Sequence, residues 1–196
     1  MKHAGAVLFA AALAACSPPV SQSKAPDGPS AETAISAATS AVPPACMAQS
    51  SRDWSAVGSQ YYIVEAEASG DTCADATATM RIKSTGGAVL FTRTYPVRDV
   101  PLAFNPSDDQ TGLRSDLEGW TQNTAEPATA DILPAWPAGA QRPPNFQPAV
   151  PRNRYEAARG AQGPLFCFPD GAESNACVYM TGDTATYLGS WTPESE

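Results

Sequence analysis

The chain has 196 residues, of which 43% are hydrophobic and 16% are charged, and its formal net charge is −8. An acidic surface repels nucleic acid and anionic lipid headgroups. We therefore expect no nucleic-acid partner, and we expect any protein or cell-wall partner to be basic or neutral.

The first sixteen residues have the pattern of a secretory signal. Lys2 and His3 give a positive start, residues 4–12 are apolar, and the small residues Ala14 and Ala15 come near the end. The apolar run is about half of the roughly 20 residues that a membrane-spanning helix needs. A permanent transmembrane helix is therefore not expected in this segment.

The four residues that end at Cys16, Leu-Ala-Ala-Cys, resemble the lipobox of bacterial lipoproteins. The resemblance covers residues 1–16 and implies a diacylglycerol with palmitate-type chains on Cys16, removal of residues 1–15, and acylation of the new amino group. Several acyl chains together anchor a protein stably to a membrane. Ser17 stands where Asp resembles an inner-membrane retention signal, so the expected location is the outer membrane, facing the periplasm. The inner membrane and a plain secreted protein remain as alternatives.

Removal of the signal would leave the mature chain without histidine, because His3 is the single one. The chain alone would then lack the base of Ser-His-Asp and Cys-His catalysis and the imidazole of many metal sites. Lys24 and Lys83 would be the remaining lysines, and neither lies in a Ser-x-x-Lys pattern. These observations predict a non-enzymatic protein without a metal or other cofactor.

Residues 17–44 hold six prolines among Ser, Ala and Thr and no aromatic residue. This composition cannot bury enough apolar surface to fold, so the lipidated Cys16 and this segment together, residues 16–44, are predicted to be a flexible tether with a reach of roughly 30 Å. Residues 45–196 contain all four tryptophans and form a single predicted domain.

Lipid on Cys16 leaves four of the five cysteines, an even number: Cys46, Cys73, Cys167 and Cys177. In an oxidising periplasm this predicts two disulfides, for which three connectivities are possible. We favour Cys46 with Cys73 and Cys167 with Cys177, because the turn residues Pro-Asp-Gly lie between the last two cysteines. The cysteine spacings are not those of a zinc site.

The first part of the domain predicts a short helix followed by strands. Ser51 and Asp53 resemble a helix start, which predicts a helix at residues 51–57. Residues 61–68, 77–84 and 88–95 are predicted to form an antiparallel meander, with a turn at two glycines before the last strand. Its middle strand would direct Ala78, Met80 and Ile82 into the core.

The second part mixes helices, an irregular segment and further strands. Residues 113–121 predict a helix with Leu113, Leu117 and Trp120 on one face, and residues 152–159 predict another. Residues 127–151 hold seven prolines and several large apolar groups, which predicts an irregular arm wrapped over the domain. Three more strands are predicted, at residues 165–168, 176–180 and 184–191. The fold class is therefore mainly β: an antiparallel sheet, small sandwich or barrel with two or three short helices.

An acidic segment, residues 107–118, partly matches a calcium-binding loop. Ser107 at the first position and Arg114 at a usually apolar position depart from the pattern, so a solvated loop is the favoured interpretation and a calcium site the alternative. The carboxylates in it could also form the acid pair of a cell-wall glycosidase. They are Asp108, Asp109, Asp116 and Glu118.

Aromatic and arginine residues near the proline-rich arm form the predicted binding surface, because such residues suit sugars or extended peptides. Burial in the core is the alternative for the aromatic ones. The residues are Trp120, Trp136, Phe146, Trp191, Arg142, Arg152 and Arg154.

The functional hypothesis is a membrane-anchored envelope lipoprotein that acts as a binding, inhibitor or envelope-support protein. Its layout resembles that of small lipoprotein inhibitors of host lysozymes: a lipidated cysteine, disulfides, a small β domain and an acidic surface. That likeness implies a cationic enzyme as partner. The alternative is a carboxylate-dependent, glycosidase-type cell-wall hydrolase.

Overall fold

The computed structural model describes residues 46–193, which fold mainly as β structure in two antiparallel sheets of four strands each. The strands are β1 (Cys46–Ala56), β2 (Gln60–Gly70), β3 (Thr77–Ser84), β4 (Val89–Pro96), β5 (Phe146–Pro148), β6 (Leu165–Pro169), β7 (Asn175–Thr181) and β8 (Thr184–Trp191). The helices are α1 (Gln110–Trp120) and α2 (Arg152–Ala161), with 3-10 turns at Val57–Ser59, Val97–Asp99 and Ala130–Ile132. The predicted β-rich fold class is confirmed. The predicted signal, lipobox and tether lie outside the described residues.

The first sheet is a meander in the order β1-β2-β3-β4. The predicted strand at residues 77–84 is confirmed as β3, and its Ala78, Met80 and Ile82 are fully buried. The turn before β4 places Gly87 at a φ of +87°, a conformation that glycine adopts without strain.

The helix predicted at residues 51–57 is wrong, because residues 51–56 belong to β1 and Val57 begins a 3-10 turn. Ser51 pairs with Glu65 and Asp53 with Ile63, so both lie within a continuous antiparallel ladder. Trp54 lies opposite Tyr62, with their ring centroids 5.2 Å apart, and it also contacts Phe166 of the other sheet. Pairing with β2 and burial of Trp54 outweigh the local resemblance to a helix start.

The second sheet has the order β5-β8-β7-β6, and its three predicted strands are confirmed as β6, β7 and β8. Cys167 and Cys177 face each other across β6 and β7 and are joined by a disulfide. A second disulfide joins Cys46, the first residue of β1, to Cys73 in the turn after β2. This is the pairing that the sequence favoured.

The helix α1 packs against β1 and β2 with the apolar face that its spacing predicts. Leu113, Leu117 and Trp120 are buried in the same cluster as Ala48 and Ala66 of the sheet. Alanines at these sheet positions leave room for the helix to lie close to the strands.

The short segment between α1 and the proline-rich arm covers the outer edge of β6. The side chain of Asn123 donates to the Leu165 carbonyl at 2.8 Å and accepts from the Cys167 amide at 2.8 Å. The Thr124 amide donates to the Cys167 carbonyl, also at 2.8 Å. These bonds satisfy main-chain groups that would otherwise face solvent. Residues 127–151 are largely irregular, as predicted, although they also contain the 3-10 turn at Ala130–Ile132 and contribute the short strand β5 to the second sheet.

Candidate binding site

Two of the aromatic residues predicted for a binding surface lie in the core, which corrects that expectation. Trp120 is 1% exposed, and its indole Nε1 donates to the Pro169 carbonyl at 2.7 Å. Phe146 is 2% exposed and packs on Tyr155, with ring centroids 4.9 Å apart. Neither side chain is available to a ligand.

Trp136 and Arg152 lie together but hold the arm against α2. The Arg152 guanidinium donates to the Trp136 carbonyl at 2.9 Å and lies 5.8 Å from the centroid of its ring. Trp136 Nε1 donates to the Ala140 carbonyl at 2.9 Å, and its amide donates to Glu156 at 2.9 Å. Their polar groups are therefore engaged within the fold.

The other members of the predicted surface are dispersed. Arg142 donates to the side chain of Gln147 at 2.7 Å. Arg154 lines a depression of about 350 Å³ between α2 and the second sheet. Half-buried Trp191 lines a separate depression of about 330 Å³ beside Pro134. The predicted residues do not converge on one site.

The carboxylates of the acidic segment shape the start of α1. Asp109 accepts hydrogen bonds from the amides of Thr111 and Gly112, at 2.9 and 3.0 Å, and so caps the helix. Asp108 and Asp116 accept from the side chain and the amide of Asn105 at 2.6 and 3.0 Å. Residues 46–193 contain no group of three or more His, Cys, Asp or Glu side chains placed to hold a metal ion.

Two adjoining depressions of about 400 and 460 Å³ lie beside β1. They share three lining residues, so we treat them as one site, the β1 groove. It follows β1 over five residues, a length of about 13 Å at the usual rise of a strand. Its principal lining residues are Met47, Gln49, Ser51, Glu67, Gln110 and Arg114.

Ion pairs neutralise the carboxylates on the sheet side of the β1 groove. Arg81 Nη2 lies 2.6 Å from Glu67 Oε1, and Lys83 Nζ lies 2.9 Å from Glu65 Oε1. The hydrogen bond from Arg81 lowers the pKa of Glu67 and raises that of Arg81, which keeps both groups charged.

Arg114 is the unpaired charge in the β1 groove. It lies one helical turn after Gln110, whose side-chain amide donates to the Met47 carbonyl at 2.7 Å and so holds α1 against the start of β1. Arg114 is exposed and makes no ion pair or hydrogen bond within residues 46–193. The groove can therefore offer a cation, the amide of Gln49 and the hydroxyl of Ser51 to a ligand.

No family model, curated protein or solved structure matches the chain. The site must therefore be interpreted from its own geometry. None of the helices in residues 46–193 has the length and apolar character needed to cross a bilayer.

Sequence patterns did not reveal the β1 groove. Gln49 and Ser51 belong to the strand that resembled a helix start, and Glu67 is one of several carboxylates in the chain. Arg114 is the residue of the groove that stands out in the sequence, because it departs from the calcium-loop pattern. That departure is now explained, because Arg114 lines the β1 groove beside the core-facing side of α1.

Proposed function

We propose that this chain is a lipid-anchored protein of the bacterial outer membrane that uses the β1 groove to bind a partner in the periplasm. The lipobox-like sequence at Cys16 supports the anchor and the export. The Cys46–Cys73 and Cys167–Cys177 disulfides support folding in an oxidising compartment.

The observation that carries the binding role is the unpaired Arg114 in a groove whose other charges are paired. An exposed guanidinium presents several donors in a fixed plane, which suits recognition of an oxygen-rich group. The surrounding Gln49, Ser51 and Gln110 can fix the orientation of a bound segment through hydrogen bonds. These groups are suited to binding, and we assign the protein no reaction.

The anchor is tested by labelling cells with radioactive palmitate. We expect label on the wild-type protein and none on Cys16→Ala, which lacks the thiol that would be acylated. A detergent-free wash of membranes should leave the wild type bound. Release of the wild type by that wash, or equal palmitate label on wild type and Cys16→Ala, would contradict the anchor.

The binding site is tested by light-activated cross-linking in intact envelopes. A photoreactive benzoylphenylalanine at Gln49 in the β1 groove is compared with one at Gln122, which is exposed just after α1. We expect a discrete adduct from position 49 that is absent from position 122 and from Arg114→Gln carrying the probe. Identical adducts from both positions would contradict a role for the groove.

A further inference from the structure

The strand β1 has a free edge along which its main chain can accept another strand. Within the described residues, β1 pairs only with β2. The Met47 carbonyl accepts from the side chain of Gln110, so it is directed away from β2. In a regular antiparallel strand, alternate residues direct both main-chain groups to the same edge. Gln49, Ser51 and Asp53 therefore present their amide and carbonyl groups on that free edge.

No hydrogen bond within residues 46–193 occupies those edge groups beyond the one at Met47. The edge of the second sheet at β6 is different, because Asn123 and Thr124 cover it. An exposed strand edge is a ready template for pairing with another chain. The free edge of β1 is also bordered by the β1 groove and by Arg114.

We propose that the edge of β1 binds an extended peptide segment as an added strand, and that Arg114 pairs with a carboxylate of that segment. This inference rests on the proposed function and names the chemistry of the partner. Main-chain hydrogen bonds to Gln49, Ser51 and Asp53 supply the pairing. The Arg114 guanidinium selects the side chain that lies beside Gln49.

Charge complementarity favours one carboxylate in an otherwise uncharged segment. Glu65 and Glu67 are paired with Lys83 and Arg81, so Arg114 leaves the groove with a local positive charge. The chain as a whole carries −8 and repels a strongly acidic partner. Asp53, further along the same edge, disfavours a second acid near it.

The test uses the mature lipidated chain in detergent micelles and fluorescence polarisation. The probe is a fluorescein-labelled heptapeptide, Ser-Thr-Val-Glu-Val-Thr-Ser, and its partner probe has Gln in place of the central Glu. We expect the Glu peptide to bind about tenfold more tightly, as a charge-assisted hydrogen bond allows. Arg114→Gln should remove this difference, whereas Arg154→Gln, an exposed arginine on α2, should retain it.

Strand addition is separated from simple charge attraction with two N-methylated forms of the Glu peptide. One form is methylated on one set of alternate amides and the second form on the other set. One set faces β1 and the other faces solvent, so one form should lose binding and the other should retain it. Equal loss in both forms, or equal retention in both, would overturn the inference. These peptides need no variant of the protein, so folding defects do not affect the result.

Other occupants of the edge give distinct results. If a second copy of the chain pairs along β1, light scattering reports a dimer and the Glu peptide does not bind, which overturns the inference. If residues 17–44 occupy the edge, light scattering reports a monomer and the Glu peptide does not bind, which also overturns the inference. Failure of peptide binding with an intact cross-link from position 49 refutes this inference and leaves the proposed function standing. If the wild-type protein takes up no palmitate label, the anchor is refuted, and this result does not bear on peptide binding.

Discussion

Trp120 provides the sharpest test of the assignment of aromatic residues to the core. Its ring packs in edge-on contacts with Tyr95, Phe104 and Phe168, with centroids 6.0, 5.0 and 5.6 Å apart. Its Nε1 donates to the Pro169 carbonyl at 2.7 Å, which links α1 to the end of β6. Trp120 therefore packs α1 against both the first sheet and the second sheet.

The substitution Trp120→Phe keeps an aromatic ring but removes two contributions. Loss of the donor leaves the Pro169 carbonyl without its partner, at a cost of about 1–3 kcal/mol. The smaller ring leaves a cavity among side chains that can relax only in part, which costs about 1–2 kcal/mol more, less than the full truncation of a tryptophan. We expect the free energy of unfolding to fall by about 2–5 kcal/mol, the sum of the two contributions.

The measurement is urea unfolding followed by far-UV circular dichroism, with Trp191→Phe as the matched control. Trp191 is half-buried at the end of β8, so its substitution should cost less than about 1 kcal/mol. Trp120→Phe should also leave binding of the Glu peptide unchanged. If it left stability within about 0.5 kcal/mol of wild type and altered peptide binding, the burial argument for Trp120 would be refuted.

Three further predictions follow from the described contacts. Cys46 and Cys73 are 27 positions apart, and replacing both with alanine should lower the free energy of unfolding by about 3.5 kcal/mol. An unchanged urea midpoint would show that this disulfide does not stabilise the fold. Asp109→Ala should lower the free energy of unfolding by about 1 kcal/mol through loss of the helix cap, and added calcium should not move the wild-type melting temperature. Burial raises the pKa of Tyr95 and Tyr155. The stability that their neutral phenols contribute is therefore fully present below the pKa of about 10 that tyrosine has in the unfolded chain, and it is lost as the pH rises above that value. When the absorbance of phenolate at 295 nm is followed as the pH rises, Tyr95 and Tyr155 should ionise only at the pH at which the far-UV circular dichroism of the folded protein is lost.

The meander could be predicted from the sequence because its signals are local. Ala78, Met80 and Ile82 alternate with polar residues, and the glycine turn that follows sets the register with β4. The strand β1 could not be predicted in the same way. Ser51 and Asp53 resemble a helix start at short range, and the pairing that overrides this signal involves residues of β2 ten or more positions away.

The aromatic surface was predicted wrongly in part because composition does not indicate direction. The spacing of Trp120 with Leu113 and Leu117 places it on the apolar face of α1, and that spacing was the better guide. Nothing comparable marks Phe146, whose burial depends on Tyr155 of α2. The β1 groove is lined by residues of β1, β2, β3 and α1, and α1 is distant from the strands in sequence, so its assembly requires the tertiary structure.

The position of the β1 groove connects the Cys46–Cys73 disulfide and the free edge of β1. Natural sheets cover long edges, shorten them or interrupt them, because an open edge invites association. The second sheet follows this rule at both ends, with β6 covered by Asn123 and β5 only three residues long. β1 has eleven residues and begins at Cys46, where the disulfide to Cys73 holds it in register immediately before the groove. A long edge that is held in place and bordered by the unpaired Arg114 is better explained by a bound strand than by the needs of the fold.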